Sequence, residues 1–167
     1  MTAPARTEPA ASGNAPTGHR SIIIILLVAA FVVILNETTM NVALASIMGD
    51  FGVTERAAQW LTTAFMLTMA IVIPVTGWLL ERLHTRTVFT LAMVLFSLGT
   101  AIAAVAPTFA LLLAGRVVQA SGTAVMMPLL MTTIMQLVPP HARGQMMGNI
   151  SMVVAVAPAT GPTLSGL

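Results

Sequence analysis

An all-α membrane protein of about five spans is what this sequence predicts, and three observations carry that expectation. Apolar residues make up 57% of the chain and charged residues only 7%, whereas soluble domains average roughly 25% charged. Several apolar runs are as long as the roughly 20 residues needed to cross a hydrocarbon core. Most of the charges that do occur fall in the short breaks between those runs.

The elements follow in order. Residues 1–20, MTAPARTEPAASGNAPTGHR, hold nothing that could bury a core and read as a disordered cytoplasmic tail. A cleaved secretory signal is the rival reading, but the apolar run after Arg20 continues well past a typical signal core. Residues 21–167 form the transmembrane part. A first span is expected near 21–48 and ends at GDFGVTER, whose glycines, charges and hydroxyl mark a turn. A second covers about 57–80, before ERLHTR. A third, about 88–106, stops at Pro107, and a fourth runs over about 109–138 until PPHARG breaks it. A fifth, near 145–167, is still apolar at Leu167.

Orientation follows from arginine placement. With the N-terminus inside, Arg6, Arg20, Arg82, Arg86 and Arg143 are cytoplasmic, Arg56 is outside and Arg116 lies within a span. The positive-inside rule selects that arrangement. A net charge of +2, scattered over the loops, excludes a phosphate-tracking surface and so a nucleic-acid partner. The absence of cysteine excludes disulfides and thiolate metal sites. No Walker loop, zinc-binding H-E-x-x-H or nucleophile elbow occurs, and the three histidines lie in the tail and loops. We therefore expect no catalytic residues, no metal and no enzyme activity.

Polar residues inside spans are the informative exceptions. In LNETTMNVAL, residues 35–44, Glu37 lies about 16 residues beyond Ser21, hence on the order of 24 Å along its helix. Glu37 and Asn41 share one helix face, with Leu44 and Met48 continuing the stripe. Burial at this depth penalises the charged form of Glu37, which is expected to exchange protons near neutral pH. Asn41 fits either a pathway wall or interhelical glue. Arg116, about seven residues into the fourth span, lies at a comparable depth and shares its face with Gln119. We expect Arg116 to pair with Glu37, so that protonation weakens the pairing and couples proton binding to helix movement; capping of carbonyls or snorkelling is the alternative for Arg116. Six methionines in spans two and four could wall an adaptable site or simply pack. Gly144 and Gly148 form a GxxxG pair of the kind found at helix contacts.

The order of these motifs resembles the major facilitator superfamily, and within it the fourteen-helix drug:proton antiporters. LNETTMNVAL is similar to the first-helix motif L-D-x-T-x-x-N-V-A-L, with Asn36 in place of the common Asp and Glu37 beside it. GWLLERLHTR resembles the loop motif G-x-L-x-D-R-x-G-R-R through Gly77, Leu79, Glu81, Arg82 and Arg86, with His84 standing where the motif has Gly. GRVVQASGTA resembles R-x-x-Q-G-x-G through Arg116, Gln119 and Gly122, with Ala120 at the first Gly. MVVAVAPATGPTLSG resembles the antiporter motif G-x-x-x-G-P-x-x-G through Gly161, Pro162 and Gly166, with Ala157 at the first Gly.

The resemblance implies part of an N-terminal six-helix half of a major facilitator fold. It implies that Glu37 and Asn41 line the pathway and that Arg116 takes part in proton transfer. Gly77, Glu81, Arg82 and Arg86 would latch a cytoplasmic gate, with His84 disturbing a tight turn that Gly would permit, and the Gly161–Gly166 motif would favour exchange in the efflux direction. The implied activity is proton-coupled efflux of small amphipathic drug-like molecules across the plasma membrane, driven by the proton gradient without a cofactor. A carrier of another solute, such as a metabolite, is the next expectation, and a small non-transporting oligomeric membrane protein the third. The chain is expected to be an N-terminal fragment whose partners, besides lipid, substrate and protons, are the missing C-terminal helices.

Overall fold

The computed structural model describes residues 17–165. It contains five helices: α1 (Thr17–Phe51), α2 (Glu55–Arg82), α3 (Thr85–Ala104), α4 (Phe109–Leu137) and α5 (Pro140–Ser165). Helix α1 begins inside the stretch expected to be tail, and α5 begins at Pro140, earlier than the expected 145. Residues 1–16 of the expected tail lie outside the described residues. Among the described residues, α1 to α4 are long and apolar enough to cross a membrane. Helix α5 has the length, but its first half carries Arg143, Gln145, Asn149 and Ser151.

Local chemistry sets the breaks. Gly52 takes a left-handed φ of 60°, which a residue with a Cβ adopts at a cost, and the chain turns there. Thr54 and Thr108 cap the helices that follow, each hydroxyl accepting a bond from a first-turn amide, Ala57 N at 3.3 Å and Leu111 N at 3.4 Å. Pro140 occupies the first helical position of α5, where a missing N–H costs nothing. The connection at His84 is plain extended backbone, φ −65° and ψ 139°. It needs no left-handed residue, so His84 replaces Gly there without the expected disturbance.

Helix α4 is the centre of the bundle. Over its apolar window 56% of the residues are buried, against 11% for α2, and it packs against each of the other four helices. Its Val125, Met126, Leu129, Leu130 and Ile134 meet Ile23, Leu26, Ala30 and Val33 of α1, Val88, Ala92 and Phe96 of α3, and Ile150 of α5 in one core. Helix α1 otherwise rests mainly on α5, and α1 and α3 do not pack on each other. Much of α2 faces outward, with Met66, Leu67, Ile71, Val75 and Trp78 all more than half exposed. Such a face is stable in lipid or against further helices, where apolar side chains lose nothing.

The α3–α4 seam is closest because it is lined by small residues. A Cβ on Gly99 would overlap the backbone of Gln119, one on Gly115 would sit 2.9 Å from Ala103 N, and one on Gly122 would sit 2.6 Å from Phe96 N. Real Cβ atoms do not approach so closely, and the two backbones nearly touch because all three positions are Gly. Gly122, singled out by its motif, thus has a steric role. By contrast, a Cβ on Gly77, Gly144 or Gly148 would meet nothing within 4 Å, so no helix among the described residues presses on the GxxxG pair where a side chain would go.

Candidate functional site

The LNETTMNVAL stretch lies mid-helix in α1, and its polar groups divide into two sets. Thr38 and Thr39 return their hydroxyl protons to the carbonyls of their own helix, Thr38 to Leu35 O at 2.8 Å and Thr39 to Leu35 O at 2.9 Å. Thr68, Thr76, Thr90, Thr100, Ser121, Thr123 and Thr133 do the same one turn back. In apolar surroundings this satisfies a hydroxyl without help from another helix. Asn36, Glu37 and Asn41 have no such local option.

Asn36 is drawn into a polar node at the middle of the bundle. Gln119 Nε2 donates to Asn36 Oδ1 at 2.8 Å and to Thr100 Oγ1 at 2.8 Å. Thr100 gives its own proton to Phe96 O at 2.8 Å, so its oxygen is free to accept. On the other side, Arg116 Nη1 donates to Gln119 Oε1. The guanidinium carbon of Arg116 stands 4.2 Å from the centroid of the Phe65 ring, a cation–π contact worth about 2 kcal/mol or more where water is excluded. Four helices therefore meet at this level: Asn36 from α1, Phe65 from α2, Thr100 from α3, and Arg116 and Gln119 from α4.

Arg116 is only 3% exposed and Gln119 2%. A buried guanidinium with five donors needs acceptors, yet its Nε has none. Glu37 is half-buried and within electrostatic reach of Arg116, but no hydrogen bond joins the two among the described residues. The arginine is held by a neutral amide and an aromatic face. Asn41, one turn beyond Glu37, is exposed and outside the node. Arg116 and Gln119 are thus brought together, Glu37 stands beside them and Asn41 stands apart.

The residues of the loop motif lie at one end of the bundle. Glu81, Arg82 and Arg86 are exposed. Arg82 stacks over the Trp78 ring, 4.9 Å from its centroid. Arg143 closes the same end of α4, donating from Nε to Val138 O at 3.0 Å and from Nη2 to Met135 O at 2.8 Å. It thereby satisfies carbonyls that a helix C-terminus leaves open. A cavity of about 520 Å³ opens there between α1, α3 and α4, lined by Ile22, Leu26, Arg86, Phe89, Thr133 and Gln136. It includes none of Glu37, Asn41, Arg116 and Gln119. Gly161 and Pro162 belong to the last turns of α5, and Gly166 lies outside the described residues. No group of metal-ligating side chains occurs among the described residues.

Phe65 and Thr100 do not stand out in the sequence, and Asn36 stands out there as a costly polar residue in an apolar span and as a replacement for an acid, with no partner assigned. The structure shows what places Asn36 in the node, which the uniformly apolar run 22–35 conceals. The buried stripe of α1 steps through Ile23, Leu26, Ala30 and Val33, and the next position at helical spacing is 36 or 37.

Comparison with known proteins agrees with this architecture. The family model described as Major Facilitator Superfamily matches residues 26–167. An uncharacterized MFS-type transporter, YcnB of Bacillus subtilis (strain 168), is 49% identical over 149 residues, covering 89% of this chain and 32% of YcnB. The lincomycin resistance protein LmrB of the same organism is 47% identical over 146 residues, covering 87% of this chain and 30% of LmrB. The crystal structure of a bacterial homolog to the human lysosomal transporter Spinster, inward-facing and unoccupied, superposes with a TM-score of 0.72 at 26% identity. That match covers 85% of this chain and 30% of the Spinster homolog. This chain therefore spans under a third of the length of these relatives. With five helices arranged as in a solved carrier and a family match across most of its length, this multi-pass membrane chain belongs to the Major Facilitator Superfamily.

Proposed function

We propose that this chain supplies one wall of a drug:proton antiporter of the fourteen-helix group, exporting small amphipathic molecules across the plasma membrane as protons enter. The observation that carries the reading is the buried Arg116 of α4, held mid-bundle with Glu37 of α1 beside it and unbonded. Two opposite charges at one level of an apolar bundle are costly as structure alone and suit a site that changes charge during a cycle. The similarity to a lincomycin resistance protein supports a drug-like substrate. In this reading Glu37 binds the proton, Asn41 faces the pathway from the same helix, and Arg116 senses the charge of Glu37. Gly77, Glu81, Arg82 and Arg86 form the cytoplasmic latch, and the motif at Gly161, Pro162 and Gly166 favours exchange in the efflux direction. The N-terminus is cytoplasmic.

The test is efflux from vesicles driven by an imposed proton gradient, with a full-length carrier bearing this segment and its Glu37→Gln variant. Loss of drug-dependent proton movement in a folded, membrane-inserted variant is the expected result. Retained coupling removes Glu37 from the mechanism. Transport of substrate with no proton movement in the wild type removes antiport altogether.

A further inference from the structure

The hydrogen bonds of the central node have a fixed direction. Arginine offers donors and no acceptor, so Gln119 must turn Oε1 toward Arg116, which it does. Both protons of Nε2 then point away and are taken by Asn36 Oδ1 and Thr100 Oγ1. Every polar atom of the Gln119 amide is used. Flipping the amide would set its NH2 group against the guanidinium, donor against donor. The orientation of Gln119, and through it the position of Arg116, therefore depends on an acceptor at residue 36.

The acceptor here is neutral. Asn36, Gln119 and Thr100 do not titrate, and an arginine keeps its proton at physiological pH. The nearest acid is Glu37, one residue on and so about 100° around the helix, outside the relay. The other elements packed here bring no second acid. The charged residues of α2, Glu55, Arg56, Glu81 and Arg82, stand at its two ends, as do Arg86 on α3 and His141 and Arg143 on α5.

We propose that Asn36 is a positioning residue that holds Arg116, through Gln119, equally at every pH. A proton arriving at Glu37 changes the charge facing the arginine without releasing the arginine. This differs from a latch in which acid and arginine pair and part. Residue 36 fixes the cation and residue 37 supplies the acid, two tasks divided between neighbours on α1. The pH half of the proposal rests on the antiport reading above; the contact half does not.

Two measurements on the full-length carrier test it. The first is a double-mutant cycle of Asn36→Leu and Gln119→Leu, read as thermal unfolding in detergent. Coupling of roughly twofold to tenfold in the unfolding equilibrium is expected, the range of one buried hydrogen bond. Additive effects overturn the positioning role, whatever the carrier transports. The second is the pH profile of transport. Asn36→Asp keeps size and acceptor, so it should retain transport that Asn36→Leu loses, but with the profile displaced by the added acid. An Asn36→Asp profile that matches wild type overturns the claim that neutrality at 36 matters. A wild-type carrier indifferent to pH, with residues 36 and 119 still coupled, overturns the antiport reading and the pH half while the positioning role stands.

Discussion

The glycines of the α3–α4 seam and those at the ends of α2 and α5 are the same residue in opposite circumstances. Gly99, Gly115 and Gly122 have backbone from the facing helix where a methyl would go, while Gly77, Gly144 and Gly148 face open space. The lesson is that a small residue in a membrane helix marks a contact only when its partner helix is present. Gly122 lies in a motif and Gly99 and Gly115 in none, yet all three do the same steric work. Gly77 lies in a motif, and a methyl there would meet nothing among the described residues.

Substitutions at the seam should break the comparison most sharply. Gly99→Val or Gly122→Val forces α3 and α4 apart and is expected to lower stability by about 3 kcal/mol or more, beyond ordinary overpacking because the clash is with backbone; loss of thermal stability in detergent checks it. Next comes Gln119→Leu, which removes the hydrogen-bond partner of a buried guanidinium and should cost about 1–3 kcal/mol, read by the same melt. A smaller loss, about 1 kcal/mol, is expected for Thr100→Val, which keeps the shape of the side chain but removes one acceptor from the node. The smallest effect belongs to Gly144→Ala. With no neighbour to strike, it should be neutral or stabilise α5 by about 0.5–1 kcal/mol through helix propensity. A clear loss at Gly144 in a full-length carrier, with none in this chain alone, would identify a helix from outside the chain seated on that face.

Much of the fold was legible in the sequence because apolar runs and their Gly, Pro and Arg breaks report spans directly. The central place of α4 was not. Lipid and protein core are both apolar, so hydropathy cannot tell a helix buried by four neighbours from one that faces outward, such as α2. At the site, Glu37 and Arg116 were legible as charges where charge is costly, and Arg116 and Gln119 as partners three positions apart. The contact across helices was not legible: the sequence suggested Glu37 for Arg116, while the guanidinium stacks on Phe65 of α2 and bonds Gln119 on its own helix. Periodicity reports which face a residue occupies, and it carries no information about which helix that face meets. Asn36 was legible as a polar residue in an apolar helix, but its partner was not: residues 22–35 are all apolar, so the buried stripe through Ile23, Leu26, Ala30 and Val33 that leads to it appears only in the structure.

The grip of Arg143 on the end of α4 has a mechanical consequence. Arg143 belongs to α5, and α5 lies along α1, so α1 is braced to α4 at two heights, through the Asn36–Gln119 contact and through α5 acting as a strut. Two braces at different heights make a stiff frame in which α1 cannot tilt against α4 without breaking one of them. Helix α2 lies outside that frame and packs mostly on α4, where its Ala58, Leu61 and Phe65 are buried.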